Sequence, residues 1–141
     1  MNFLWRIAHH LYSLGGTWKK CARVFEIVSF VIASNAISAQ AVIGKGTQFY
    51  HHGLGCVVHE NVVIGVNCKI FQNVTLGAKL SEKESGDKVP TVGDGVMIGA
   101  GSVLLGDIHI GNHATIGANA VIVSDVPEYA VVVGVPGRIR G

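Results

Sequence analysis

Charge is scarce in this sequence: Asp, Glu, Lys and Arg make up 14% of its 141 residues, and the formal net charge is +2. A protein that binds nucleic acid by neutralising phosphates gathers Lys and Arg into a stripe, and none is present, so nucleic acid is set aside as a partner. Disorder is excluded from the other side, because 49% of the residues are apolar. That is more apolar matter than a lone domain of this length needs inside, so a subunit interface is expected.

Cysteine is sparse as well. Cys21, Cys56 and Cys68 show no CxxC spacing, which argues against a disulfide framework or a thiolate metal site and fits a reducing cytoplasm. The N-terminus has no short apolar stretch ending in a small-x-small cleavage site, so no secretory leader is expected. Residues 27–44 carry no charge, yet Ser29, Ser34, Asn35, Ser38 and Gln40 interrupt them, whereas a bilayer-spanning helix needs ~20 predominantly apolar residues.

What is present begins with helical spacing. Phe3, Leu4, Ile7, Ala8 and Leu11 mark one face of a helix that stops at Gly15-Gly16. Lys19, Lys20 and Arg23 then lead into a second helix whose apolar residues, from Val24 to Ile32, nearly surround it. Such a helix must be covered, either by the end of the domain or a sister subunit, or by a membrane surface that its basic residues approach.

After Ser34 the period changes to six. Aliphatic or aromatic residues recur at Ile37, Ile43 and Phe49, then at Val58, Ile64, Ile70 and Leu76, then at Val92, Ile98, Leu104, Ile110, Ile116 and Ile122. Many are followed by glycine, and small or aliphatic residues sit four positions on, as at Thr47, Val62, Cys68, Ser102 and Ala120. Neither helix nor simple strand has this period; it reads as a solenoid of short parallel strands, a three-sided coil with one inward anchor per side. The fold class expected is an all-β solenoid behind a short helical segment. The division expected is 1–34 helical, 35–126 solenoid, and 127–141 an extended tail.

The rhythm breaks twice. From Phe49 to Val58 the step is nine residues, and from Leu76 to Val92 it is sixteen, so loops leave the coil at 50–57 and 78–91. Irregular loops on a rigid scaffold are where chemistry tends to be carried. The first holds His51 and His52; the second is charged and contains Gly86-Asp87-Lys88-Val89-Pro90.

A His-Gly-x-Gly loop, the segment Asn73-Val-Thr-Leu-Gly77, the run Val96-Met-Ile-Gly-Ala-Gly101 and the ending Val133-Gly-Val-Pro-Gly-Arg138, set among these anchors, resemble the left-handed β-helix acyltransferases, in particular the serine acetyltransferase group. The resemblance covers residues 35–141 and implies an acetyl-CoA-dependent transfer to a hydroxyl, with no metal. It also implies a homotrimer with sites between subunits and the left-handed sense of the coil. The same resemblance implies that CoA lies along Gly77, Ala78, Gly99, Ala100, Gly117 and Ala118; Lys79 and Arg138, as cations suited to a polyanionic ligand, are candidates for its phosphates. Asp87 and Glu60 carry over as acceptor-side residues. A neutral imidazole serves such a reaction as general base near pH 7.

Counting forward from Ile43-Gly44 places the family's base at His51; counting back from Gly55 and Glu60 places it at His52, which keeps the spacing into the rigid strand and is favoured. The chain departs from the serine enzymes in three places. It has His51 where they have an aspartate, no acid near Asn35 and Ala36, and Val89 where they have a second histidine. The His-His-Gly loop preceded by Arg6-Ile-Ala-His9 is closer in style to the acetyltransferases of exopolysaccharide assembly, colanic acid type, which shifts the expected acceptor toward a sugar hydroxyl, with L-serine as the alternative. The expected location is the cytoplasm, with a weak contact to the inner membrane through the N-terminal helices. Two further readings compete. One is a γ-carbonic-anhydrase-like metal site at His59, His109 and His113, against which the four-residue spacing of the last two argues; the other is a non-catalytic scaffold.

Overall fold

The structure, a computed structural model, describes residues 3–79 and 88–140. Helix α1 (Phe3–Leu14) and helix α2 (Trp18–Ala33) are joined at Gly15 and Gly16, whose φ of 73° and 53° lie in the left-handed region that glycine adopts without penalty. Short strands follow: β1 (Ala36–Ile37), β2 (Val42–Ile43), β3 (Gln48–Phe49), β4 (Val57–Val58), β5 (Val63–Ile64), β6 (Lys69–Ile70) and β7 (Thr75–Gly77). Beyond the second loop come β8 (Thr91–Val92), β9 (Met97–Ile98), β10 (Val103–Leu105), β11 (His109–Ile110), β12 (Thr115–Ile116), β13 (Val121–Ile122), β14 (Val131–Val133) and β15 (Arg138–Ile139).

Successive strands fall in different sheets. The first sheet is ordered β1-β4-β7-β10-β13, the second β11-β8-β5-β2 and the third β15-β14-β12-β9-β6-β3. From β1 to β10 each strand pairs in parallel with the third one after it, so the chain winds as a three-sided coil.

Register stacks the six-residue anchors into columns. Ile37, Val58, Leu76, Leu104 and Ile122 align in the first sheet. Ile43, Ile64, Val92 and Ile110 align in the second, and Phe49, Ile70, Ile98, Ile116 and Val132 in the third. All but the half-buried Ile43 are buried, and each fully buried aliphatic side chain contributes roughly 1.5–3 kcal/mol. The small residues four positions past the anchors line the inside of the corners; Thr47, Val62, Cys68, Ser102 and Ala120 are all buried. Corner glycines are dictated by the coil above or below: a Cβ on Gly44 would lie 2.4 Å from the backbone carbon of Gly65.

Sheet pairing runs past residue 126. Although Ile122 to Val132 breaks the six-residue phase, β14 pairs with β12 and returns Val132 to the third column, and β15 turns back antiparallel against β14. The expected extended tail thus contains two strands, because Val131–Val133 keeps an inward valine between two outward ones.

The helices clamp the turn of the first coil. Trp5 Nε1 donates to the Ser38 carbonyl (2.9 Å), His9 Nδ1 to that of Ala39 (2.8 Å), and the Ala39 N–H donates to Glu26 Oε1 (2.6 Å). Trp5 and His9 stack with ring centroids 4.8 Å apart. The Arg6-Ile-Ala-His9 segment therefore serves the architecture, since its histidine ties α1 to the coil.

Candidate functional site

The first phase break forms the turn Tyr50–Gly53 between β3 and β4. His51 (φ 52°, ψ 39°) and His52 (φ 59°, ψ 18°) both hold left-handed backbone, and Gly53 follows at φ 72°. A non-glycine residue there costs of order 1–3 kcal/mol, so the surroundings must impose it. They do so from several directions. Tyr50 stacks on Phe71 with ring centroids 4.7 Å apart, Leu54 N–H donates to the His51 carbonyl (3.1 Å), and Gly55 N–H donates to that of Ser34 (2.9 Å). Gly53 is buried, and a Cβ there would come within 3.1 Å of Ile37 Cδ1.

The tie that reaches His52 itself comes from Asn35. Its Nδ2 donates to the His52 carbonyl at 3.2 Å, while its Oδ1 accepts from the Ser29 hydroxyl of α2 at 2.9 Å. A carbonyl can only accept, so the amide must turn its NH2 toward His52 and leave its oxygen for serine. Asn35 and Ser29 are 3% and 6% exposed, so the link is buried where it leaves α2 and partly buried where it reaches the exposed His52. Both histidines are exposed on the outer side.

The turn lies at the corner between the third and first sheets, which continues along the coil as a ladder. Asn73 N–H donates to the Leu54 carbonyl (2.8 Å), Gly101 N–H to Gln72 (3.0 Å), and Asn119 N–H to Ala100 (2.8 Å). Gly99, Ala100, Gly117 and Ala118 thus occupy the same corner as the histidines. Arg138 begins β15 at the far end of the third sheet, exposed, its Nη1 donating to the Gly137 carbonyl (3.3 Å). Within this corner, Gln72 Oε1 is buried with no hydrogen-bond partner among the described residues.

Gly77, Ala78 and Lys79 lie elsewhere, at the corner between the first and second sheets, where Lys79 sits against Gly106. With Lys88, which sequence reasoning did not single out, Lys79 lines a hollow of about 290 Å³ that also includes Asp107. The glycines differ in their reasons for being glycine. A Cβ on Gly99 would lie 2.6 Å from the Ala118 nitrogen and one on Gly117 2.8 Å from Val133 Cγ1, so coil stacking dictates both. On Gly77 a Cβ would meet Leu105 Cδ2 at an ordinary 3.5 Å.

Glu60 Oε2 accepts from Gln40 Nε2 at 2.6 Å, and Gln40 Oε1 in turn accepts from the Tyr12 hydroxyl at 2.7 Å. This bond of Glu60 is to the first coil rather than to a loop histidine. Asp87 lies outside the described residues, as does most of the second loop. Sequence reasoning missed Asn35, Ser29 and Gln72; the first two stand in the uncharged run 27–44, where polar residues buried without charge were the available signal.

Cys56 and Cys68 are buried, their thiols donating to the carbonyls of Phe71 (3.2 Å) and Gly93 (3.1 Å). Burial pushes both thiols up from their ordinary value, so neither supplies a thiolate nucleophile at neutral pH. Among the described residues no group of three or more His, Cys, Asp and Glu side chains could hold a metal ion. His59 Nδ1 accepts from Asn61 N–H (3.2 Å), and His113 stacks on Tyr129, so each is engaged locally.

Residues 90–124 match the family described as bacterial transferase hexapeptide (six repeats). The chain is 44% identical over 135 residues to a serine acetyltransferase of Haemophilus influenzae, an alignment covering 96% of this chain and 49% of the relative. Among solved structures, a serine acetyltransferase of Neisseria gonorrhoeae superposes with a TM-score of 0.86 at 42% identity, covering 97% of this chain and 51% of that one. A serine acetyltransferase in complex with CoA superposes with a TM-score of 0.85 at 41% identity, covering 97% and 54%. The chain therefore spans about half the length of the relatives it matches, and what it shares with them is the hexapeptide coil together with both N-terminal helices.

Proposed function

We propose that the protein is an acetyl-CoA-dependent O-acetyltransferase, built on a left-handed β-helix over residues 35–126, that transfers the acetyl group to L-serine. The observation that carries this reading is the placement of His51 and His52, held left-handed and exposed, on the same corner as Gly99, Ala100, Gly117 and Ala118. A base thus stands at one end of a lane of small residues along which a pantetheine arm can lie. The relatives' names support serine over the sugar hydroxyl that the His-His-Gly style suggested.

His52 is the proposed general base. As the acceptor hydroxyl oxygen attacks the thioester carbonyl carbon, the imidazole takes the hydroxyl proton. The carbon–sulfur bond then breaks and the imidazolium returns that proton to the departing CoA thiolate. Backbone N–H groups stabilise the intermediate oxyanion. Lys79 and Arg138 are assigned to the CoA phosphates, and Asp87 to the acceptor. Glu60, engaged by Gln40, is assigned to support of the first coil instead.

The assembly we propose is a homotrimer, a reading that the split between corners supports. Gly77, Ala78 and Lys79 stand on one corner and the histidine turn on another, and a closed heterologous ring sets one corner of each copy against the other corner of the next. The test is free-thiol release from acetyl-CoA by the purified protein. Release with L-serine but not with monosaccharides supports the reading. Release with sugars alone contradicts the acceptor, and release with neither contradicts the activity.

A further inference from the structure

Helix α2 shows the solvent a face that a water-soluble helix ordinarily hides. Its inner side is marked by the buried Ala22 and Ser29. Opposite them, helical spacing lines up Lys20, Arg23, Val24, Ile27 and Val31, with Phe30 and Ile32 on the flanks. Val24, Ile27, Phe30, Val31 and Ile32 are 57%, 58%, 61%, 71% and 74% exposed. Trp18, half-exposed beside Lys19, begins the helix, and α1 adds the exposed Phe3, Arg6 and Leu14.

The charges on this pair of helices are of one sign where they meet water. Arg6, Lys19, Lys20 and Arg23 are exposed. Glu26, their one acid among the described residues, is half-buried with its carboxylate turned to the Ala39 N–H. Neither described helix is long and apolar enough to cross a membrane.

We propose that the outer face of α2 seats the protein on an anionic lipid surface, lying in the plane of the interface. Such a surface accepts both halves of the face at once. Lys19, Lys20 and Arg23 reach headgroup phosphates while Val24, Ile27, Phe30, Val31 and Ile32 enter the acyl boundary, and Trp18 has the amphipathic ring suited to the level between. A second copy related by a twofold axis fits less well. Two α2 faces paired about a twofold axis set cations against cations if parallel, or bury Lys20 and Arg23 against apolar side chains of the other copy if antiparallel. This inference does not rest on the acetyltransferase reading.

The test is co-sedimentation of the full chain with vesicles of phosphatidylcholine alone and of phosphatidylcholine mixed with phosphatidylglycerol. The protein pellets with the mixed vesicles and stays in solution with the neutral ones, and added salt releases it. The Lys19→Glu/Lys20→Glu/Arg23→Glu variant and the Ile27→Asn/Val31→Asn variant each lower partitioning by at least ~10-fold, with unchanged circular dichroism and unchanged mass in solution. Either of two results overturns the proposal: wild type remaining in solution with both vesicle types, or Ile27→Asn/Val31→Asn changing the oligomeric mass while partitioning stays the same. The second would assign the face to another copy.

Discussion

Asn35 Nδ2 donates to the main-chain carbonyl of His52 at 3.2 Å, across the seam between the end of α2 and the turn that carries both histidines. The bond acts on backbone, so it sets where the His52 ring starts from and does not engage the ring nitrogens. Asn35→Asp keeps an acceptor for Ser29 but loses the donor to His52, and places a carboxylate against a carbonyl. The expected outcome is a fall in kcat of at least ~10-fold with little change in the KM for acetyl-CoA. Ser29→Ala, which removes the hydroxyl that Asn35 Oδ1 accepts from but leaves the Asn35 donor to His52, costs about 1 kcal/mol of stability and much less activity. Steady-state kinetics with thermal melts separate the two.

Gly77 and Gly99 carry opposite predictions. At Gly99 a methyl group strikes the Ala118 backbone at 2.6 Å, so Gly99→Ala destabilises the coil by roughly 1–3 kcal/mol, read as a lowered Tm. At Gly77 the methyl makes ordinary contacts, so Gly77→Ala leaves Tm within a degree or two and raises the KM for acetyl-CoA if the thioester passes there.

The two interior thiols make stability fall in alkali. Burial raises Cys56 and Cys68 above the ordinary value of 9.0, so the folded protein holds protons that the unfolded chain has released. Their contribution is fully present below that pH and is lost as pH rises from it through the raised folded values. Cys68→Ala flattens this decline, measured as denaturant midpoint against pH. A thiol reagent modifies Cys21 quickly in the native protein and the other two only on unfolding.

The coil was legible because its period is unusual. An anchor that must point inward, as Ile64 does, recurs every six residues, and a glycine that must lie flat against the next coil, as Gly44 does on Gly65, follows many of these anchors. The first loop was legible as a break in that pattern, while most of the expected second loop lies outside the described residues. Asn35 and Gln72 were not, since their roles depend on which chain segments meet at a corner, and no period records that. The resumption of pairing at Val131–Val133 was hidden for a related reason: the excursion between Ile122 and Val132 spoils the count while leaving the valine in register. For the acceptor, the local likeness at His51-His52-Gly53 points to a sugar hydroxyl, whereas similarity over nearly the whole chain favours the serine alternative.

The most direct measurement is kcat for acetyl transfer from acetyl-CoA to L-serine by His52→Ala beside His51→Ala. The account predicts a loss of at least ~10²-fold for His52→Ala, the usual range for a general base, and a clearly smaller one for His51→Ala. A His52→Ala protein that turns over at the wild-type rate while His51→Ala is inactive would contradict it.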